Sequence, residues 1–84
     1  MTYRVIYQPA AERFLAQIWL QAPDRPLVTA AAHRIDQLLA SNPLACGRWL
    51  SGTTRVKYIF PLAVAFDVVE DDKLVRVLRI WEHR

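Results

Sequence analysis

Residues 53–81, TTRVKYIFPLAVAFDVVEDDKLVRVLRIW, decide the fold. β-branched and aromatic side chains dominate three runs, and this composition is typical of strands. Pro61 separates the first run from the second, and an acidic stretch, Glu70-Asp71-Asp72, separates the second from the third. Connections as short as these join antiparallel neighbours in a sheet. The predicted strands are residues 53–60, 62–69 and 73–81.

The first half of the chain predicts one short strand and two helices. Residues 3–7, YRVIY, form the strand, and Pro9 suits the first turn of a helix because its missing N–H would have no partner there. Asp24 is placed to cap the second helix, and Ser41-Asn42-Pro43 ends it. Two apolar stripes recur at helical spacing. They are Ala11, Phe14, Leu15, Ile18, Trp19 and Ala22 in the first helix, and Val28, Ala31, Ala32, Ile35, Leu38 and Leu39 in the second.

The predicted element order is β-α-α-β-β-β. Two helices with so short a connection pack as an antiparallel hairpin. Helices on one face of a mainly antiparallel sheet give an α+β two-layer sandwich. The chain has 84 residues without repeats or linkers, so we expect a single domain over residues 1–84.

The last predicted strand raises a problem of charge. Side chains alternate along a strand, so Arg76 and Arg79, three residues apart, are expected on opposite faces. If the leucines and Ile80 of this strand pack on the helices, Arg76 lies on the same side. A buried unpaired charge is very costly. We therefore expect Arg76 to extend into water or to pair with Asp36 or Glu12. The leucines concerned are Leu74 and Leu78.

The opposite face of the predicted sheet collects basic side chains. Arg79 and Trp81 are expected there. Arg55 and Lys57 lie two residues apart and share one face of their strand, away from Tyr58. We expect Arg55 and Lys57 to join Arg79 in one basic hollow. The alternative for these two residues is an outward, solvated strand face.

Composition limits the classes of function. Apolar residues make up 54% of the chain and charged residues 23%, which is typical of a globular protein. The net charge of +3 favours anionic partners, either nucleic acid or an acidic protein. Cys46 is the single cysteine and has no metal-ligand spacing around it, so we expect a packed, reduced thiol and neither a metal nor a cofactor. The N-terminus lacks signal-peptide features, and no apolar run approaches the roughly 20 residues of a membrane span. We expect a cytoplasmic protein.

Three segments together resemble the RelE/ParE superfamily of toxins from bacterial type II toxin–antitoxin modules. They are YRVIYQPAAERFLAQIW (3–19), HRIDQLL (33–39) and LSGTTRVKYIFPLAVAFDVVEDDKLVRVLRIWEHR (50–84). The match lies in the element order, the Pro-Ala-Ala-Glu start of the first helix, and an acidic turn followed by Val-Arg-Val-Leu-Arg-Ile. The resemblance implies a growth-inhibiting toxin that acts on translation by ribosome-dependent mRNA cleavage, or on DNA gyrase. It also implies a cognate antitoxin.

The resemblance further implies roles for individual residues. In the nuclease branch, basic residues of the second strand and an arginine of the third stabilise the charge that develops on phosphorus. Here the third-strand arginine position is Ala63. The implied catalytic residues are Arg55, Lys57, Arg79 and His83, and the implied substrate-binding residues are Trp81 and Arg84.

Two alternatives to a toxin remain open from the sequence. One is a catalytically degenerate family member that acts only as a protein-binding module, which the alanine at position 63 favours. The other is a plain nucleic-acid-binding domain, which the net charge favours.

Overall fold

The computed structural model describes residues 2–83, and it confirms the predicted α+β sandwich and its element order. The elements are β1 (Arg4–Tyr7), α1 (Pro9–Gln21), α2 (Arg25–Ser41), β2 (Arg48–Ser51), β3 (Thr54–Ile59), β4 (Leu62–Val69) and β5 (Leu74–Glu82). The strands form one sheet in the order β1-β5-β4-β3-β2, with β1 parallel to β5 and the other pairs antiparallel. The short strand β2 is additional to the predicted elements.

Local chemistry fixes the helix ends. Pro9 occupies the first turn of α1, and Asp24 caps α2 as predicted, with its Oδ1 accepting the N–H of Leu27 at 3.1 Å. The guanidinium of Arg25 donates to the carbonyl oxygens of Trp19 at 3.2 Å and Leu20 at 2.9 Å. Carbonyls in the last turn of a helix lack helical partners. Arg25 therefore both ends α1 and ties it to α2.

The core lies between the helical hairpin and one face of the sheet, which we call the helix side. Phe66, Ile35 and Leu39 are among its fully buried side chains. Two members of the predicted α1 stripe lie at the margin of the core. Phe14 remains 54% exposed and Trp19 39% exposed. We call the opposite face of the sheet the helix-free face.

A β-bulge in β5 changes the predicted faces of that strand. Phe66 pairs with Val77 and Ala65 pairs with Arg79, so Leu78 is an extra residue without a partner on β4. The prediction that Arg76 and Arg79 point to opposite faces is therefore wrong, because the bulge adds one residue between them. Both lie on the helix-free face, together with Trp81. Val75 and Val77 pack on the helices with Ile80, in place of the predicted Leu74 and Leu78.

Strand β3 turns its two basic residues toward the helix side. Arg55 pairs with Phe66, and Lys57 pairs with Val64. Directly opposed residues of antiparallel strands share a face, and both of these partners belong to the core. The prediction that Arg55 and Lys57 share a hollow with Arg79 is therefore wrong. Alternation defines two faces of a strand but does not say which face the helices cover.

Candidate functional site

The helix-free face carries aromatic and basic side chains near the ends of β3 and β5. Tyr58, Ala63 and Trp81 lie side by side in register across β3, β4 and β5. Ala63 is 0% exposed, so its small side chain forms a floor between the two rings, whereas Tyr58 is 47% exposed. Arg79 and His83 complete the group. We call Tyr58, Arg79, Trp81 and His83 the aromatic-basic cluster.

Two contacts join side chains of the aromatic-basic cluster, and one backbone hydrogen bond positions His83. The rings of Tyr58 and His83 have centroids 4.5 Å apart with 42° between their planes. The backbone N–H of His83 donates to the carbonyl oxygen of Pro61 at 2.8 Å. The guanidinium carbon of Arg79 lies 5.9 Å from the ring centroid of Trp81, at the outer limit of a cation–π contact. Rings on such a surface can stack on bases while an arginine binds phosphate.

A neighbouring row of the helix-free face has an arginine at each end. Arg48 pairs with Val56, Val56 with Ala65, and Ala65 with Arg79. Val56 and Ala65 are only 7% and 5% exposed, whereas both arginines are exposed. The row therefore places two positive charges on either side of an apolar strip. Arg48 was not among the residues predicted from the sequence.

A buried carboxylate on the helix-free face is the partner of Arg76. Asp67 is 9% exposed, and its Oδ2 accepts from Nη2 of Arg76 at 3.1 Å. Its Oδ1 accepts from the hydroxyls of Thr53 at 3.2 Å and Thr54 at 2.9 Å. The predicted partners Asp36 and Glu12 were wrong. Arg79, in contrast, forms no ion pair within residues 2–83.

Arg55 and Lys57 surround the single cysteine instead of the aromatic-basic cluster. Cys46 is buried, and burial raises the pKa of its thiol, while the nearby charges of Lys57 and Arg55 partly oppose that rise. Both basic residues are half-buried. They lie beside the segment that connects α2 to β2, across the sheet from Arg79.

The structure thus assembles some predicted site residues and separates others. Arg79, Trp81 and His83 come together. Tyr58 joins them, although the sequence predicted it on the face opposite the basic hollow. Arg84 lies outside the described residues. Within residues 2–83 no group of three or more His, Cys, Asp or Glu residues is placed to hold a metal ion. No helix of the described chain is long and apolar enough to cross a membrane.

A second surface lies on the outer side of the helical hairpin. A groove of about 570 Å³ runs between α1 and α2. We call it the hairpin groove. Its walls and floor are mostly apolar, with two carboxylates and a tyrosine among them. The lining residues are Tyr7, Glu12, Leu15, Ala16, Trp19, Leu20, Val28, Thr29, Ala32 and Asp36.

Solved structures share this architecture over the whole chain. The match to the toxin–antitoxin complex RelBE2 from Mycobacterium tuberculosis has a TM-score of 0.81 and 20% identity, and it covers 100% of both chains. The match to the chromosomal ParDE toxin–antitoxin system from P. aeruginosa has a TM-score of 0.74 and 15% identity, over 98% of this chain and 97% of the other. The chain has the fold of the RelE/ParE toxins.

The isolated E. coli RelE toxin shows the same RelE/ParE fold. Its TM-score is 0.64 at 13% identity, over 98% of this chain and 85% of RelE. The resemblance inferred from the sequence is thereby confirmed for the fold. No protein-family model and no curated protein matches the sequence significantly.

Proposed function

We propose that this chain is the toxin of a toxin–antitoxin pair, and that it arrests growth by contacting RNA through the aromatic-basic cluster. The observation that carries the proposal is the cluster itself, in which the rings of Tyr58 and Trp81 border the buried Ala63 beside Arg79, which forms no ion pair within residues 2–83. The RelE/ParE fold supports it, because RelBE2 and ParDE are described as toxin–antitoxin systems.

The chemistry of the aromatic-basic cluster suits single-stranded RNA. Stacking of one base on an aromatic side chain contributes about 1–3 kcal/mol, and every base presents a face for it. Tyr58 and Trp81 supply two such rings, and Arg79 supplies a cation for a phosphate between the stacked bases. His83 supplies an imidazole, the side chain most often used for general acid–base catalysis. We propose mRNA on the ribosome as the target, with the cytoplasm as the place of action.

Growth arrest on induced expression tests this proposal. Arg79→Ala and Trp81→Ala are expected to relieve arrest, because they remove the phosphate contact and one stacking surface. Arg55→Ala is the matched control, since it removes the same charge from the opposite face of the sheet. Mapping of mRNA 5′ ends after induction is expected to show new cleavage sites. Arrest that needs Arg55 but not Arg79 would contradict the proposed surface.

The same cells distinguish an RNA-directed toxin from one that acts on DNA gyrase. A gyrase-directed toxin is expected to induce the SOS response and DNA breaks while mRNA stays intact. A domain that merely binds nucleic acid is expected to bind bare RNA or DNA with steep salt dependence and to leave mRNA uncut. Either result would replace mRNA cleavage as the activity.

A protein-binding module without toxicity is the second candidate. Two observations favour it. The position where the nuclease branch has an arginine is the buried Ala63, and the basic residues Arg55 and Lys57 lie across the sheet from Arg79. Under this alternative, strong overexpression leaves the growth rate unchanged.

We also propose a cognate antitoxin as the partner. A net charge of +3 favours an acidic protein overall. A short reading frame beside this gene is expected to encode it, and co-expression of that frame is expected to restore growth. A neighbouring product that neither binds the chain nor restores growth would contradict the pairing.

A further inference from the structure

The outer edge of β2 is open and apolar. Within residues 2–83, β2 ends the sheet and pairs with β3 alone. All four of its residues are exposed, including Trp49 at 68% and Leu50 at 59%. Sheet edges are protected from other strands by charges, bulges or proline. β2 has a bulge at Leu50, but its two large exposed apolar side chains favour the addition of another strand.

The side chain of Trp49 presents aromatic surface on the helix side of the sheet. Trp49 pairs with Arg55, and directly opposed residues of antiparallel strands share a face. Its indole N–H donates to the carbonyl oxygen of Gly52 at 2.8 Å. This bond uses the only hydrogen-bond donor of the side chain, so a partner of Trp49 meets an apolar ring. Exposed tryptophans of this kind are frequent anchors of protein interfaces.

The net charge of the chain comes from the residues around this edge. Residues 37–66 contain no aspartate or glutamate but carry three cations, Arg48, Arg55 and Lys57. The rest of the chain has 8 of the 11 lysines and arginines and all 8 acidic residues, so its formal charges cancel. The three remaining cations lie on β2 and β3. The whole charge of +3 is therefore placed at one end of the sheet.

Two of these three cations line one hollow. It has a volume of about 320 Å³ and lies beside the start of β2, against β3. Arg48 and Lys57 line it, and neither forms an ion pair in the described part of the chain. A carboxylate that enters the hollow meets two cations without partners, and hydrogen bonds between such charged groups are stronger than neutral ones.

We propose that the open edge of β2 binds an extended acidic segment of a partner protein, which joins the sheet as a sixth strand. In this mode backbone hydrogen bonds supply affinity and alternate side chains supply specificity. Arg48 and Trp49 are successive residues on opposite faces. The residue of the segment that faces Arg48 is therefore acidic, and its neighbour that faces Trp49 is apolar. The inference goes beyond the proposed function and requires neither RNA contact nor growth arrest.

Two other occupants fit the edge of β2 less well. A second copy of the chain would bring another end with a charge of +3 against the first, and like charges across an interface are costly. Nucleic acid would match the cations and the ring of Trp49, but it cannot continue the backbone ladder of a sheet. An extended acidic segment matches the open edge, the exposed ring and the charge together.

Selection from a bead library of random peptides tests the proposal with the full chain made by cell-free synthesis. The peptides are about 10 residues long, the upper length of a common strand. Enriched peptides are expected to alternate apolar residues with aspartate or glutamate. Trp49→Ser is expected to weaken the best peptide by at least about tenfold. Lys57→Gln is expected to weaken it by about two- to fivefold, because one cation of the hollow is lost. Circular dichroism checks that both variants fold.

N-methylation of the best peptide tests the strand pairing itself. An added strand directs alternate N–H groups toward its neighbour. Methylation at either the odd or the even positions gives two peptides with the same side chains and the same charge. One is expected to lose at least about tenfold in affinity and the other to stay within about threefold of the parent. Amide exchange of residues 47–52 is expected to slow when the unmethylated peptide binds.

Matched controls lie on α1, which packs on β5, three strands away from β2. Phe14→Ser removes another exposed aromatic side chain, and Arg13→Gln removes another exposed cation. Both are expected to change peptide binding less than about twofold. These controls separate the edge of β2 from general effects of charge and of apolar surface.

Several results would overturn the inference. They are no enrichment above blank beads, enriched peptides without acidic residues, equal binding of the two methylated peptides, and binding that Trp49→Ser leaves intact. Self-association or RNA binding that Trp49→Ser abolishes, with no peptide bound, would assign the edge to one of the other occupants. A failed selection with growth arrest still dependent on Arg79 removes this inference alone, whereas peptide binding without any growth arrest removes the toxin proposal alone.

Discussion

Replacing Asp67 by alanine is expected to destabilise the protein more than any surface substitution of an acidic residue. The carboxylate is 9% exposed and bonds three groups. They are the guanidinium of Arg76 on β5, the hydroxyl of Thr53 in the turn before β3, and the hydroxyl of Thr54 at the first position of β3. Asp67→Ala removes the acceptor of all three groups and leaves a charge unpaired on the helix-free face.

The contacts of Asp67 set the size of the loss. The side chain of Arg76 is 44% exposed, so solvent screening limits the ion pair to about 1 kcal/mol. Each hydroxyl bond contributes about 0.5–1.5 kcal/mol. The sum is about 2–4 kcal/mol in the free energy of unfolding. For a chain of 84 residues this lowers the Tm by about 10–25 °C.

Urea unfolding followed by circular dichroism measures the loss from Asp67→Ala. Asp71→Ala is the control, because Asp71 is exposed in the β4–β5 turn, and it is expected to change stability by less than about 0.5 kcal/mol. A double-mutant cycle of Asp67→Asn with Arg76→Gln is expected to give a coupling of about 1 kcal/mol. The reasoning is refuted if Asp67→Ala costs no more than Asp71→Ala.

Three further predictions concern single positions. Tyr7→Phe is expected to cost about 1 kcal/mol by removing the bond to Asp36. Burial and that bond raise the pKa of Tyr7. The free energy of unfolding therefore falls as the pH rises above about 10, the pKa of tyrosine in the unfolded chain. Urea unfolding at pH 8 and 10.5 should show a smaller loss of stability between the two pH values in Tyr7→Phe than in the unchanged protein. Gly47→Ala is expected to cost about 2–4 kcal/mol, because φ is +82° and the new Cβ would lie 2.7 Å from a carbonyl oxygen of β3. Gly52→Ala, with φ +54° and open space, should cost about 1 kcal/mol by the same measurement. Burial and the raised pKa of Cys46 predict slow alkylation by iodoacetamide in the native protein and fast alkylation in urea; equal rates would contradict this.

The helices and the order of elements along the chain, apart from β2, were accessible from the sequence because each follows from a local pattern. The apolar spacing of both helices and the cap at Asp24 need no tertiary information. The partner of Arg76 was also within reach. Counting outward from the acidic turn pairs Val69 with Leu74 and then Asp67 with Arg76, as the structure has it.

The faces of β3 and β5 were not accessible in the same way. Alternation in β3 places Arg55 and Tyr58 on opposite faces, and the prediction assigned the basic side chains to the face without helices. The helices, however, cover the side of Arg55, so Tyr58 reaches the helix-free face. In β5 the bulge at Leu78 depends on pairing with β4 and leaves no mark in local composition. The misplacement of Arg55 and the omission of Tyr58 follow from the face of β3 that the helices cover, whereas Arg48 was missed because β2 was not predicted.

The central structural claim is that the bulge at Leu78 places Arg79 and Trp81 on the helix-free face. Deletion of Leu78 tests it most directly, through the free energy of unfolding in urea. Without this residue the strand alternates regularly, with Val77 and Ile80 still on the helix side and Arg79 and Trp81 still opposite. Only a half-buried leucine is lost, so we expect a folded protein less stable by about 1–2 kcal/mol. If β5 instead alternated without a bulge and packed Leu74, Leu78 and Ile80 on the helices, the deletion would turn Arg79 into the core, and an unfolded protein would contradict the account.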